Sequence, residues 1–277
     1  VREAILGRLA AVEAAEDVRI LIAVESGSRA WGFPSQDSDY DVRFVYVHTL
    51  DWYLALDQRR DVIELPITDG LDIGGWELKK ALRLLIKPNP VLLEWLRSPI
   101  VYRADREAVA KLDALGRRAA HQRPSRHHYL HLARSQYRRF IADKTEVSLK
   151  KYFYALRPAL ALKWLRERPD EPVPMTLPEL RAAARLPQDV AGVLDELVEK
   201  KLRKRELGTG RRIPALDALI ETEMTRAEAL MDYGRPSGDD LESAANALMV
   251  DLVCGPAPRR EPAAEAERPL AGVPDRA

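Results

Sequence analysis

Between Glu25 and Val47 the chain reads Glu-Ser-Gly-Ser-Arg-Ala-Trp-Gly-Phe-Pro-Ser-Gln-Asp-Ser-Asp-Tyr-Asp-Val-Arg-Phe-Val-Tyr-Val, and two features of that stretch could do chemistry. The first is Asp39-Tyr-Asp41. Residues i and i+2 of a strand point to one face, so these two carboxylates would stand side by side. Two like charges at that distance are costly unless a cation lies between them. Oxygen ligands suit Mg²⁺, which keeps places for waters and substrate phosphates. A pair of such ions about 3.5–4 Å apart can orient an attacking hydroxyl and stabilise a leaving pyrophosphate. The second feature is Gly27-Ser28. Glycine lets backbone approach a phosphate closely. A short helix opening at Ser28 and running through Arg29 would face its N–H groups toward phosphate. The Ser28 hydroxyl is one more donor, and Arg29 is a candidate phosphate partner.

These residues need strands on either side. The run 18–24, Val-Arg-Ile-Leu-Ile-Ala-Val, reads as a buried strand that Gly27 and Ser28 break. Residues 41–47 read as a second strand, with Val42, Phe44 and Tyr46 alternating against Asp41, Arg43 and Val45. Ile5, Leu9 and Val12 give 1–16 a helical stripe. Further strands are expected at 62–67 and 71–73. Helices are expected at 76–86 and 90–96, the latter opened by Asn89-Pro90. After Asp105 strand signals vanish. Helices are expected at 105–120, 125–143, 148–168, 178–186, 188–206, 214–232 and 238–253, with breaks at Pro124, 169–174, 208–210 and 234–238. The fold class that follows is α+β: a mixed sheet with helices over 1–104, then an all-α domain over 105–254. Residues 255–277, rich in Pro, Ala, Arg and Glu, are expected to be a disordered tail.

Gly-Ser followed eleven residues later by Asp-x-Asp, between two apolar strands, resembles the signature of polymerase β-type nucleotidyltransferases. The wider set is Gly27-Ser-Arg-Ala-Trp-Gly32, Ser38-Asp-Tyr-Asp-Val-Arg43, Glu77-Leu-Lys-Lys-Ala-Leu82, Lys87-Pro-Asn-Pro90, Leu93-Glu-Trp-Leu-Arg-Ser-Pro99 and Lys151-Tyr-Phe-Tyr-Ala-Leu-Arg-Pro158. Together these resemble the RlaP nucleotidyltransferases, a family associated with RNA repair. The resemblance implies a polymerase β-like palm, two Mg²⁺ ions (with Mn²⁺ as substitute), an NTP substrate and a third carboxylate on a later strand. Asp72, flanked by Leu71 and Ile73 just before a helix, is the best candidate, and Asp69 is its competitor. The metal and catalytic set is then Asp39, Asp41 and Asp72.

Gly116 to Ala142 holds seven Arg, four His and no acid. On a helix, His127, His131, Arg134 and Arg138 share one face, opposite the apolar Leu130, Ala133, Tyr137 and Ile141. That ridge could follow a nucleic-acid backbone or simply be a solvated face. Lys150, Tyr154 and Arg157 form a second helical face able to hold a triphosphate and stack a base, and Pro158 is expected to kink that helix. Lys200-Lys-Leu-Arg-Lys-Arg205 with Arg211 and Arg212 could extend the basic surface or be ordinary surface. Trp76 and Trp95 read as core, and Glu94 as a partner for Arg97.

With 44 Lys and Arg against 43 Asp and Glu, the whole chain is not a polybasic binder, so any such role is local. The single Cys254 excludes an internal disulfide, and no CxxC or Cys/His zinc spacing exists, which fits a reducing, cytoplasmic compartment. No apolar run approaches the roughly 20 residues needed to span a bilayer, and the charged 1–16 does not read as a signal peptide. The expected function is transfer of an NMP from an NTP to a hydroxyl, an RNA 3′ end foremost. Asp39 and Asp41 hold the metals, Asp72 helps deprotonate the hydroxyl, and Ser28 holds the triphosphate. The alternatives are AMP transfer to a protein or small-molecule hydroxyl, and a non-catalytic binding module.

Overall fold

The computed structural model describes residues 1–35, 37–87, 89–119, 121–203, 207–231 and 240–255. Helix α1 (Arg2–Glu16) leads into β1 (Val18–Ser26) through Asp17, whose left-handed backbone closes the helix. A single turn, α2 (Gly27–Ala30), separates β1 from β2 (Tyr40–His48). After α3 (Leu50–Leu54) come β3 (Val62–Glu64), β4 (Leu71–Glu77), α4 (Leu78–Ile86), α5 (Pro90–Trp95) and β5 (Val101–Ala104). The sheet order is β3-β4-β2-β1-β5. β2 and β4 run parallel, and the other neighbours are antiparallel. The sheet is therefore mixed, as expected.

Alternation along the strands gives the sheet two apolar faces. Val42, Phe44 and Tyr46 of β2 pack with Ile5, Leu9 and Val12 of α1. Val45 and Val47 turn to the other face and pack with α4 and α5. β1 carries a bulge between Ile20 and Ile22, so Ile20 faces α1 while Leu21 and Ile22 both face the helices opposite. Gly75 is required in β4 because a Cβ there would run into the Phe44 ring.

The remaining elements are α6 (Arg106–Arg118), α7 (Gln122–Phe140), β6 (Glu146–Ser148), α8 (Lys150–Glu167), α9 (Leu177–Ala183), α10 (Gln188–Arg203), β7 (Thr209–Arg211), α11 (Pro214–Ala229) and α12 (Leu241–Cys254). Helices α7 to α11 build a separate core around Tyr152, Phe153, Leu156 and Leu160.

Four expectations differ from this. Strand β4 extends to Glu77, because Val45 pairs with Trp76 and Tyr46 with Glu77. The helix expected from Trp76 starts instead at Leu78, with the buried Glu77 carboxylate capping the amides of Lys79 and Lys80. The region after Asp105 is not wholly helical, since β6 and β7 pair across Val147 and Gly210. A boundary at 104/105 does not coincide with the cores: Leu112 and Leu115 of α6 and Leu241 and Leu252 of α12 pack with α4 and α5 against the sheet. The amphipathic stripes of α6 and α12 specify burial but not the surface that receives them. Helix α8 runs on through Pro158. The expected tail beyond Gly255, the break at 234–238, and Lys204 and Arg205 of the basic cluster lie outside the described residues.

A buried ion pair ties the helical core to the sheet. Arg157 of α8 meets Glu94 of α5 at 2.6 Å, and Tyr129 of α7 donates to the same carboxylate oxygen at 2.6 Å. The Arg157 Nε donates to the Met175 carbonyl. Removing one partner of a buried pair strands the other charge, at a cost of about 3–5 kcal/mol. Glu94→Ala is therefore expected to lower the unfolding free energy by about that amount in urea titrations. A loss below about 1 kcal/mol would contradict the buried pairing.

Candidate active site

Parallel pairing of β2 and β4 sets Asp41 directly beside Asp72. Asp39 precedes β2, with its Oδ1 lying against Gly70. The competing Asp69 sits on the turn before β4 with a left-handed φ of 54°, not on the strand. Burial pushes the Asp41 carboxyl above its ordinary range; Arg43 pulls it back, and Asp72 and Asp39 push it up again. The three acids thus act on one another electrically. Arg43 offsets part of that repulsion, donating to Asp72 Oδ2 at 2.6 Å and lying 3.7 Å from Asp41 Oδ1. Among the described residues, no three His, Cys, Asp or Glu side chains converge closely enough to hold a metal ion as arranged. The donor set nonetheless fits a hard divalent cation: it is all carboxylate oxygen, and its mutual repulsion is what such an ion relieves.

Two residues place Asp41. Glu25, fully buried at the end of β1, accepts from the Asp41 amide at 2.8 Å and from the Tyr102 hydroxyl. Gly27, at φ 61°, leaves the space that the Asp41 carboxylate fills, and a Cβ there would collide with it.

Asp39 and Asp41 line a cavity of about 420 Å³ together with Gly27, Ser28, Trp31, Arg43, Lys150, Tyr154 and Lys201. The expected Gly27, Ser28, Lys150 and Tyr154 are therefore brought together with the acids, from α2 and from α8. Asp72, beside Asp41 on β4 and held by Arg43, is not among the lining residues.

Two expected nucleotide contacts are placed elsewhere. Arg29 donates to the Ser38 carbonyl at 2.7 Å and the Asp39 carbonyl at 3.2 Å, and stacks 3.8 Å over Tyr40. It fixes the loop that carries Asp39. Arg157 is buried in its pair with Glu94, 4.7 Å over the Trp31 ring, and does not line the cavity. Glu94 correspondingly does not pair with Arg97, which meets Asp113. Of the α7 ridge, His127, His131 and Arg138 are exposed, while Arg134 is paired with Glu228.

Lys201 was read only as one member of a basic cluster, and Glu25 had no assigned role in the sequence. Lys201 is 4% exposed on α10, with its ammonium 5.5 Å from the Phe33 ring and 5.8 Å from the Phe153 ring. Burial and the neighbouring Lys150 lower it to about 8. Its neighbours in the basic cluster are spent otherwise, Lys200 on Glu196 and Arg203 on Glu199. The available signal for Glu25 was a carboxylate ending an otherwise apolar strand.

The chain is 42% identical over 252 residues to an uncharacterized protein, YcgL, of Bacillus subtilis (strain 168), covering 91% of this chain and 96% of that one. A nucleotidyltransferase-like protein of Exiguobacterium sibiricum 255-15 overlays 91% of this chain and 79% of its own, with 13% identity and a TM-score of 0.29, a likeness too weak to carry an argument. Residues 1–251 match the RNA repair pathway DNA polymerase beta family, RlaP. The chain belongs to that family of polymerase β-like nucleotidyltransferases.

Proposed function

We propose that the protein transfers an NMP from an NTP to a hydroxyl acceptor, an RNA 3′ end, with release of pyrophosphate. The observation that carries this reading is the pairing of Asp41 with Asp72 across β2 and β4, beside a cavity walled by Ser28, Lys150, Tyr154 and Lys201. Carboxylates on one wall and cations on the other suit a substrate that is a metal–polyphosphate. The RNA acceptor draws on the family's RNA repair pathway description and on the exposed His127, His131 and Arg138 of α7.

In this reading Asp39, Asp41 and Asp72 hold Mg²⁺ or Mn²⁺, which when bound neutralises charge on the phosphates. Ser28 donates to the triphosphate, and Lys150 and Lys201 balance its β- and γ-charges. Tyr154 and Trp31 offer ring faces for the base. The acceptor hydroxyl attacks the α-phosphorus, and its proton goes to Asp72. The new P–O bond forms as the bond to the pyrophosphate oxygen breaks. Arg43 gives up its hold on Asp72 for that role. Positioning and charge neutralisation supply most of the rate.

Two outcomes check this. Asp41→Asn is expected to lower kcat by about a thousandfold or more. Because the folded-state pKa of Asp41 is raised, its ionisation opposes folding above that pKa, and a neutral residue removes the opposition. The melting temperature of Asp41→Asn at pH 7 should therefore match or exceed that of the metal-free wild type. A variant that retains activity, or one that loses activity only because it unfolds, would remove Asp41 from the chemistry.

The second outcome concerns pH. Lys201, with its pKa at about 8, faces a cavity shared with Lys150, Tyr154, Asp37, Asp39 and Asp41. It carries charge below that pH and loses it above, so KM for the NTP should rise as pH passes through 8 with kcat less affected. Lys201→Arg, charged throughout, should flatten the rise. A KM profile identical in wild type and Lys201→Arg would contradict the contact.

A further inference from the structure

A run of alternating rings and cations leaves the cavity where the C-terminal end of α7 meets the N-terminal end of α8. Trp31 and Tyr154 line the cavity and meet edge to face, centroids 6.1 Å apart. The Lys151 ammonium lies 5.1 Å from the Tyr154 centroid and 4.3 Å from that of Phe140. The Arg139 guanidinium lies 5.0 Å from the Phe140 centroid. Phe140 and Tyr154 are half-buried, and Arg138, Arg139 and Lys150 are exposed.

Some cations of the helical surface are paired with acids and others are not. Lys163, Arg166, Arg181, Arg203 and Arg212 each hold a carboxylate. Among the described residues, Arg138, Arg139, Lys150 and Lys151 hold none, and Arg168 and Arg185, away from this junction, also hold none. Burial, then Lys150, then Arg139 lower the Lys151 pKa, and no acid opposes them. The acids between Phe140 and Lys151 in sequence are Asp143 and Glu146, both exposed on the connecting segment. Like charges gathered without counter-charge are stabilised by an anion from outside. Ring faces set among them favour one that also brings bases, because bases stack on aromatic side chains whatever their sequence.

We propose that this run seats the acceptor: a single-stranded nucleic-acid end lies along the α7–α8 junction, phosphates on Arg138, Arg139 and Lys151 and a base on Phe140, and delivers its terminal hydroxyl to the cavity. The inference rests on the transferase reading above and adds the path by which the acceptor enters. An acidic polypeptide would need the charge but not the ring.

Anisotropy of a labelled single-stranded RNA of about 12 nucleotides, within the span of single-strand grooves, tests it without added NTP. Arg139→Ala/Lys151→Ala should bind about tenfold or more weakly, with the slope of log affinity against log salt reduced by about 1.4, two contacts at ~0.7 each. Phe140→Leu should weaken binding about fivefold to tenfold with the slope unchanged. Arg168→Ala/Arg185→Ala removes equal charge from outside the junction and should change neither. Melting temperatures check that each variant folds. Equal binding by wild type and Arg139→Ala/Lys151→Ala would overturn the path, as would no binding by wild type. Displacement of the RNA by polyglutamate, together with insensitivity to Phe140→Leu, would give the surface to an acidic polypeptide. NMP transfer to a short acceptor, followed in parallel, separates the two readings. Transfer by wild type with no effect of the α7–α8 variants rejects the path alone, whereas transfer surviving in Asp41→Asn rejects the catalytic site.

Discussion

Repulsion among carboxylates is the constraint around which the acidic end of the sheet is arranged. The β2–β4 register forces Asp41 and Asp72 into adjacent positions, and Asp39 stands just ahead of them. A sheet does not gather such charges without compensation. Here Arg43 supplies it in part, while burial, more than the neighbouring acids, holds the Asp41 carboxyl above its ordinary range. The surrounding residues hold the arrangement against that repulsion. Glu25 secures the Asp41 amide, Arg29 secures the loop bearing Asp39, and Gly27 makes room for the Asp41 carboxylate. A divalent cation placed among these carboxylates would relieve their repulsion, and that is the basis of the proposed metal–nucleotide reading.

The opposite wall depends on how the helical core meets the sheet. Phe33, six residues past Gly27, is fully buried in the helical core and stacks on Phe153 with centroids 5.0 Å apart. The Trp31 carbonyl accepts from the Leu177 amide, and Gly32 passes so close to Pro178 that a Cβ would lie 2.8 Å from it. The segment that follows the Gly27–Ala30 turn is thus part of the helical core. That attachment, with the Arg157–Glu94 pair, lets α8 and α10 present Lys150, Tyr154 and Lys201 to acids that lie more than a hundred residues earlier. Both charge signs of the cavity rest on buried contacts between elements distant in sequence.

The placement of the three acids was largely legible in the sequence because its determinants are local. Asp39 and Asp41 follow from strand spacing, Gly27 and Ser28 from a break between apolar runs, and the choice of Asp72 over Asp69 from flanking Leu71 and Ile73. Lys150 and Tyr154 followed from helical spacing. What failed was tertiary. Arg157 shares their helical face by periodicity, yet a counter-charge on α5 takes it into the interior. Lys201 looked like one cation among several, because nothing in a run of Lys and Arg tells which one an aromatic bed will bury. The docking of α6 and α12 on the sheet was equally invisible, since an amphipathic stripe does not name its partner.

The most direct test of the account follows two phosphorus atoms. Purified protein would be incubated with Mg²⁺, a mixed pool of short RNAs and each NTP, labelled in parallel at the α- and the γ-phosphate. Label from the α-phosphate on the RNA, with γ-label recovered in pyrophosphate, is the result that the proposed transfer at a cavity lined by both carboxylates and lysines predicts. Label from the γ-phosphate on the acceptor, or release of free orthophosphate with no α-label transferred, would contradict nucleotidyl transfer at Asp39, Asp41 and Asp72.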